Sequence, residues 1–186
     1  VRFHCLPKDS PLYEVLRRRP PLWRRDPAVE EWLRFRLRLP ASFANFLAGR
    51  SGNTRNQIRR TRRRLEEALG ERVQIRSYRR PEESEKALHA IESISSDTYQ
   101  VRLGVGYTHR SRAGKIDGFE RGRLEVWVLY VDGEPRAFWD GIRYQDTLTI
   151  WHTGYELAFV DLRPGTYLLL ALIESLCHND EIRVTD

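Results

Sequence analysis

The chain has 186 residues, 40% hydrophobic and 31% charged, which suits one soluble domain with a real core or two small ones. Its net charge is +6, and Lys8, Lys86 and Lys115 are the only lysines among 32 basic residues. Guanidinium groups grip phosphate through paired donors, so this balance suits a phosphorylated cofactor, a nucleic acid or an acidic polymer. The longest apolar block, Tyr167 to Ile173, falls far short of the about 20 residues a membrane helix needs. Pro7, Lys8 and Asp9 interrupt any signal-peptide pattern. Cys5 and Cys177 lie far apart, with no partner at metal-ligand spacing, so no metal site is expected and the thiols suit a cytoplasmic setting. The chain has no methionine and begins at Val1, and it reads as part of a longer protein.

Val1 to Leu6 alternates like a strand, and Leu12 to Leu16 suits a short helical turn. After a basic, Pro-interrupted loop, Asp26-Pro27 reads as a helix start, with Val29, Trp32, Leu33 and Phe35 inward and a stop before Pro40. Ser42 caps a short helix carrying Phe43, Phe46 and Leu47. Thr54 to Gln57 has capping-box spacing, and the helix it opens runs to Leu69, where Gly70 stops it. That helix carries arginine at 55, 59, 60, 62, 63 and 64.

Val73 to Tyr78 alternates as a strand, and Pro81-Glu-Glu opens a helix with Ala87, Leu88, Ile91 and Ile94 on one face. Gly104 to Gly122 is glycine-rich and polar, and reads as a long loop or a broken helix. Three strands follow: Leu124 to Val131, Pro135 to Tyr144 and Thr147 to Tyr155. Their turns fall at Asp132-Gly133 and Gln145-Asp146. Thr166 to Asn179 is a helix apolar nearly all round, hence buried, and Ile182 to Thr185 is a last strand. The fold class expected is α+β: a mixed, mainly antiparallel sheet with flanking helices.

Two clusters carry chemistry. The turn Leu162-Arg-Pro-Gly-Thr-Tyr167 precedes the buried helix, where unpaired N–H groups attract anions. Arg163, Gly165, Thr166 and Tyr167 are therefore candidate cofactor-binding residues; the alternative is an ordinary strand-to-helix turn. Near the meander lie Asp140, His152, Tyr155, Glu156 and Asp186. Proton transfer at a reacting amine or hydroxyl needs a base and an acid, so His152, Tyr155 and Asp186 are candidate catalytic residues. His152 and Tyr155, three apart on a strand, face opposite sides. Trp139 and Asp140 are candidate substrate-binding residues. A structural hydrogen bond is the alternative for each polar group, and core packing for Trp139.

The run Gly122-Arg-Leu, the hairpin Val131-Asp-Gly-Glu-Pro135, Ala137-Phe138, Gly154-Tyr155, Pro164-Gly-Thr-Tyr-Leu-Leu169 and Asp186 together resemble the CelD/BcsL-type (BioF2-like) acetyltransferases. These are GNAT-fold proteins related to the Fem peptidyltransferases. The helix from Asn56 to Glu66, followed by a glycine and a strand, resembles the same family. Arg163 stands where the family usually has Ser. Of the wider GNAT phosphate-loop positions Leu162, Gly165 and Tyr167, only the glycine is kept.

The resemblance implies a GNAT-like fold incomplete at both ends. Residues 1–72 would be part of the N-terminal half plus the arginine-rich linker helix, and residues 73–186 the acyltransferase core. It implies transfer of an acetyl or acyl group from acetyl-CoA or another acyl-CoA to an amine or hydroxyl. The acceptor would be a small molecule or glycan, as in cell-envelope or polysaccharide biosynthesis. Two alternatives stay open: a Fem-like transferase drawing on aminoacyl-tRNA, and a non-catalytic module that binds nucleic acid or a protein partner.

Overall fold

The computed structural model describes residues 8–18, 35–96 and 109–186. The strand expected at Val1 to Leu6, and the helix expected to carry Val29, Trp32 and Leu33, lie outside these residues. The chain divides into two units, Val1–Phe35 and Arg36–Asp186. Within the first, helix α1 (Pro11–Arg18) starts where the Tyr13 N–H donates to Ser10 Oγ at 3.1 Å. Phe35 is 85% exposed rather than inward.

The second unit is built on one six-stranded sheet. Its strands are β1 (Leu37–Arg38), β2 (Val73–Tyr78), β3 (Leu124–Val131), β4 (Glu134–Tyr144), β5 (Thr147–Tyr155) and β6 (Val184–Thr185). The spatial order is β1-β6-β5-β4-β3-β2. Every neighbouring pair is antiparallel except β5 with β6, which run parallel and are joined through a helix. The mixed α+β layout read from the sequence is therefore the one the chain adopts. Leu37 and Arg38 differ from expectation: they pair with Thr185 and Val184 of β6, so ladder bonds replace a helix running on toward Pro40.

Two local signals act as read. Asp132 and Gly133 both take positive φ, 52° and 84°, the geometry of a tight two-residue hairpin turn. Helix α3 (Gly52–Leu69) ends at Gly70, also at positive φ. Its start differs from the reading: Ser51, not Thr54, is the cap, with Ser51 Oγ accepting from the Thr54 N–H at 3.2 Å. The segment read as loop or broken helix contains α5 (His109–Glu120). Gly118 sits inside it because a Cβ there would lie 3.0 Å from Leu124 Cβ, so the residue lets the helix approach β3 closely.

Helices cover both faces of the sheet. On one face α6 (Pro164–Cys177) presents Leu168, Leu172 and Leu176 to Trp127, Leu129, Ala137 and Leu148, with Leu65 and Leu69 of α3 closing the cluster. On the other face α4 (Ser84–Ser96) and α5 bring Ala87, Ala90, Ile91, Ile94 and Phe119 against Val126, Val128 and Phe138. The second side of α6 meets α2 (Phe43–Ala48), where Phe43 and Phe46 pack on Leu170, Ile173 and Cys177. A helix gripped on both sides must be apolar nearly all round. Among the described residues, no helix is long and apolar enough to cross a membrane.

Candidate active site

The candidate site gathers at the C-terminal half of β5, on both faces of the strand. β4 and β5 pair in register from Ala137↔Tyr155 to Asp140↔His152, and then shift, so that Gly141 faces Ile150. Trp151 is the extra residue of this bulge and is 56% exposed. A bulge reverses the alternation of a strand. Leu148 therefore enters the α6-side core, while His152, four residues on, faces the α4 side. Beyond the bulge, Thr153 and Tyr155 point to α6, and Gly154 points to the α4 side against Phe138. A Cβ at Gly154 would stand 2.5 Å from a Phe138 ring carbon, so only glycine fits there. The opposite facing of His152 and Tyr155 follows the alternation read from the sequence.

On the α6 side, β5 passes through a short 3-10 segment (Leu157–Leu162) into α6. Arg163 adopts a left-handed conformation, φ 52° and ψ 51°, and turns the chain into the helix. No side chain caps the helix start, and Pro164 at its first turn carries no N–H. The Tyr167 N–H bonds the Arg163 carbonyl at 3.0 Å, which leaves the N–H groups of Gly165 and Thr166 as the uncapped donors of the first turn. Gly165 lies against the sheet: a Cβ there would meet the Tyr155 ring at 3.5 Å and Thr153 Oγ1 at 4.0 Å. Trp139 ties the helix start down, its indole N–H donating to the Gly165 carbonyl at 2.8 Å. Arg163 and Thr166 are exposed. The side chain of Tyr167 goes elsewhere, packing toward α3, with its hydroxyl donating to Glu66 at 3.3 Å. Burial, followed by the nearby Glu66 carboxylate, raises the Tyr167 phenol above its ordinary range.

On the α4 side stands a cluster that the sequence only half disclosed. Asp140, 2% exposed, receives the backbone N–H of His152 at 3.2 Å and faces His152 Nδ1 at 3.1 Å, both at Oδ1. Its Oδ2 bonds the Lys115 ammonium, brought in by α5 and itself only 6% exposed. Lys115 Nζ also lies 3.3 Å from His152 Nδ1. The His152 side chain is 27% exposed, and no described residue bonds its Nε2. An imidazole oriented by a buried carboxylate and still open to solvent on its far nitrogen can accept a proton there.

The structure thus joins Asp140 to His152 and places Trp139 and Tyr155 on the reverse face, supporting the helix start. Asp186 continues the parallel pairing, with its N–H to the Leu148 carbonyl at 3.2 Å and its own carbonyl receiving the Ile150 N–H at 2.7 Å. Its carboxylate is 3% exposed and lies 3.6 Å from Arg36 Nε. Sequence reasoning missed Lys115. The available signal was a lone lysine, one of three in an arginine-dominated chain, within a segment that reads as loop. Among the described residues no group of His, Cys, Asp and Glu could hold a metal ion.

Comparison with known proteins gives the family. No curated protein sequence matches the chain. Among solved structures, FemX superposes with a TM-score of 0.54 at 10% identity, over 80% of this chain and 51% of that one. The C-terminal domain assigned to a lysylphosphatidylglycerol synthetase of Agrobacterium fabrum superposes at 0.53 and 10% identity, over 81% of this chain and 46% of that one. A conserved protein of Bacteroides thetaiotaomicron follows at 0.51 and 14% identity, over 81% and 51%. At these identities the likeness is one of fold, and the chain spans about half the length of these structures. The model of the acetyltransferase (GNAT) domain matches residues 52–186, from α3 to the end of the sheet, and the chain belongs to that family.

Proposed function

We propose that the protein is an acyl-CoA-dependent acyltransferase acting on an amine or hydroxyl, with chemistry divided between the two faces of β5. The observation that carries this reading is the uncapped start of α6 beside the end of β5, with Asp140 and His152 on the reverse face of the same strand. The N–H groups of Gly165 and Thr166 and the exposed guanidinium of Arg163 suit the phosphates of CoA. The phosphate-bearing cofactor supplies the acyl thioester, and the residues of β4 and β5 do the rest. His152 Nε2 takes the proton from the acceptor nitrogen or oxygen as that atom bonds the thioester carbon. As the carbon–sulfur bond breaks, the departing thiolate takes a proton from solvent, while Tyr155, on the reverse face of β5, supports the start of α6 that faces the cofactor. Asp140 orients the imidazole, and Asp186, just past β6 and beside Arg36, anchors the parallel pairing of β6 with β5. Positioning supplies much of the rate, as in any transfer between two bound partners.

The acceptor fits a small molecule or a glycan, and the CelD/BcsL-type resemblance favours one from cell-envelope or polysaccharide synthesis, in the cytoplasm. Calorimetric titration with CoA and acetyl-CoA tests the reading. Saturable binding that weakens on Arg163→Ala is expected, and no heat at millimolar CoA would overturn it. One observation favours a second reading, an acyl donor carried on RNA: Arg59, Arg60, Arg63 and Arg64 all lie exposed on α3. RNA binding that weakens steeply with salt, and is lost when these four are replaced, would support it. An affinity unchanged by those replacements excludes it.

A further inference from the structure

The buried Lys115–Asp140–His152 cluster contains a geometric conflict that a proton on His152 Nδ1 resolves. Asp140 Oδ1 and Lys115 Nζ both approach the same imidazole nitrogen, Nδ1, at 3.1 Å and 3.3 Å. Were Nδ1 a lone pair, Lys115 would donate to it, but Oδ1 would then press a second lone pair against it inside the protein, where such repulsion is poorly screened. Were Nδ1 protonated, it would donate to Oδ1, and Lys115 would direct its own proton to Oδ2, which it already bonds. The second arrangement pairs Nδ1–H with Oδ1 and the ammonium with Oδ2, and no two lone pairs are pressed together.

α4 presents the apolar side chains of Ala87, Ala90, Ile91 and Ile94 to this side of the sheet, and its Glu92 is paired with Arg112 at 2.5 Å. The ammonium and carboxylate together carry no net charge, so the imidazole docks on a fixed dipole. Arginine would not serve equally here, because a compact ammonium on a flexible stem fits beside Oδ2 without covering the ring.

We propose that Lys115 is a positioning residue: by holding Asp140 Oδ2 it keeps Oδ1 on Nδ1, fixing His152 as the Nδ1–H tautomer with the Nε2 lone pair open to the acceptor. This rests on the assignment of His152 as the base, but its test does not need the activity. Long-range proton–nitrogen correlation spectra of the unliganded full chain, at a pH where the ring is neutral, report the tautomer directly. The His152 signals are assigned by their loss in His152→Gln. The expected result is a protonated Nδ1 and an unprotonated Nε2. A wild-type spectrum with the proton on Nε2 overturns the proposal, whatever the variants do.

Lys115→Met tests the role of the lysine, and Lys115→Leu, which likewise lacks a donor for Oδ2, serves if the methionine variant does not fold. Either folded variant is expected to shift His152 toward the other tautomer and to lower kcat about 10-fold or more with KM for acetyl-CoA unchanged. A folded variant that keeps the Nδ1–H signature excludes Lys115 as the positioning residue. The spectra stand even if acetyl-CoA is not a substrate. Failure of the acyl-transfer reading, seen as absent CoA binding, is therefore separable from failure of this one.

Discussion

Two buried ion pairs sit on opposite faces of the same sheet, and they differ in what can leave them. On the α6 side Arg143 bonds Glu125 at 3.2 Å and Glu181 at 2.7 Å, and Arg79 closes the chain on Glu181 at 3.2 Å. Charges alternate in sign, and every group is a carboxylate or a guanidinium. Burial raises Glu125 above the usual carboxylate range, with Arg143 pulling against it. Guanidinium does not give up its proton in a protein, so this cluster only holds. On the α4 side the chain Lys115–Asp140 ends in an imidazole that is partly open to solvent. The same construction, closed by His152 instead of a second arginine, can pass a proton outward. Burial of charge alone therefore does not mark a site. The terminal group and its access do.

Replacing each cluster's central group should separate holding from chemistry. His152→Gln is expected to slow acyl transfer by about 10²- to 10⁴-fold with little change in melting temperature, because the imidazole is partly exposed and Asp140 keeps Lys115. Steady-state rates beside a thermal melt check both halves. Arg143→Met should do the reverse: it strands the buried Glu125 and costs about 3–5 kcal/mol of stability, while kcat of the folded fraction is retained. Urea titration reads the loss. A rate collapse in folded Arg143→Met, or a melting collapse in His152→Gln, would break the distinction.

Gly154→Ala probes the boundary between the two faces. The added methyl would meet the Phe138 ring at 2.5 Å, and Phe138 is 1% exposed with no room to retreat. A destabilisation of about 1–3 kcal/mol is expected. Pairing it with Phe138→Leu should recover part of that loss if the clash is the cause.

The fold was legible in the sequence where local signals and tertiary packing agree. The Asp132-Gly133 turn sets the hairpin, and the apolar surface of α6 announces a helix packed on two sides. α5 was not legible, because Gly114 and Gly118 lower helix propensity and the close approach to Leu124 that needs Gly118 is a tertiary fact. The bulge at Trp151 left no mark either, since inserting one residue into a strand changes facing without changing composition. Asp140 and His152 could be named from their types. Their pairing required the register across the bulge, and Lys115 required a helix that had not been read.

The smallest effect concerns a carboxylate on the exposed side of the fold, and it completes the contrast with Glu125. Glu83 caps the turn before α4, its Oε2 accepting the N–H groups of Arg79 and Arg80 at 3.1 Å each, and its Oε1 the Arg80 guanidinium at 2.8 Å. These donors, led by Arg80, lower its pKa to about 2. A depressed folded value means that the carboxylate stabilises the fold at pH values above its unfolded pKa of 4.5 and that the contribution is lost as pH falls toward 2. For Glu125 the sign is opposite: its raised value favours the fold at low pH, and that contribution is lost as pH rises through the folded value. Glu83→Gln should therefore cost about 1 kcal/mol near neutral pH, a modest figure because solvent screens the cap, and clearly less near pH 2. Denaturant titrations at both pH values decide it. An equal loss at both would mean that Glu83 acts through packing rather than through its charge.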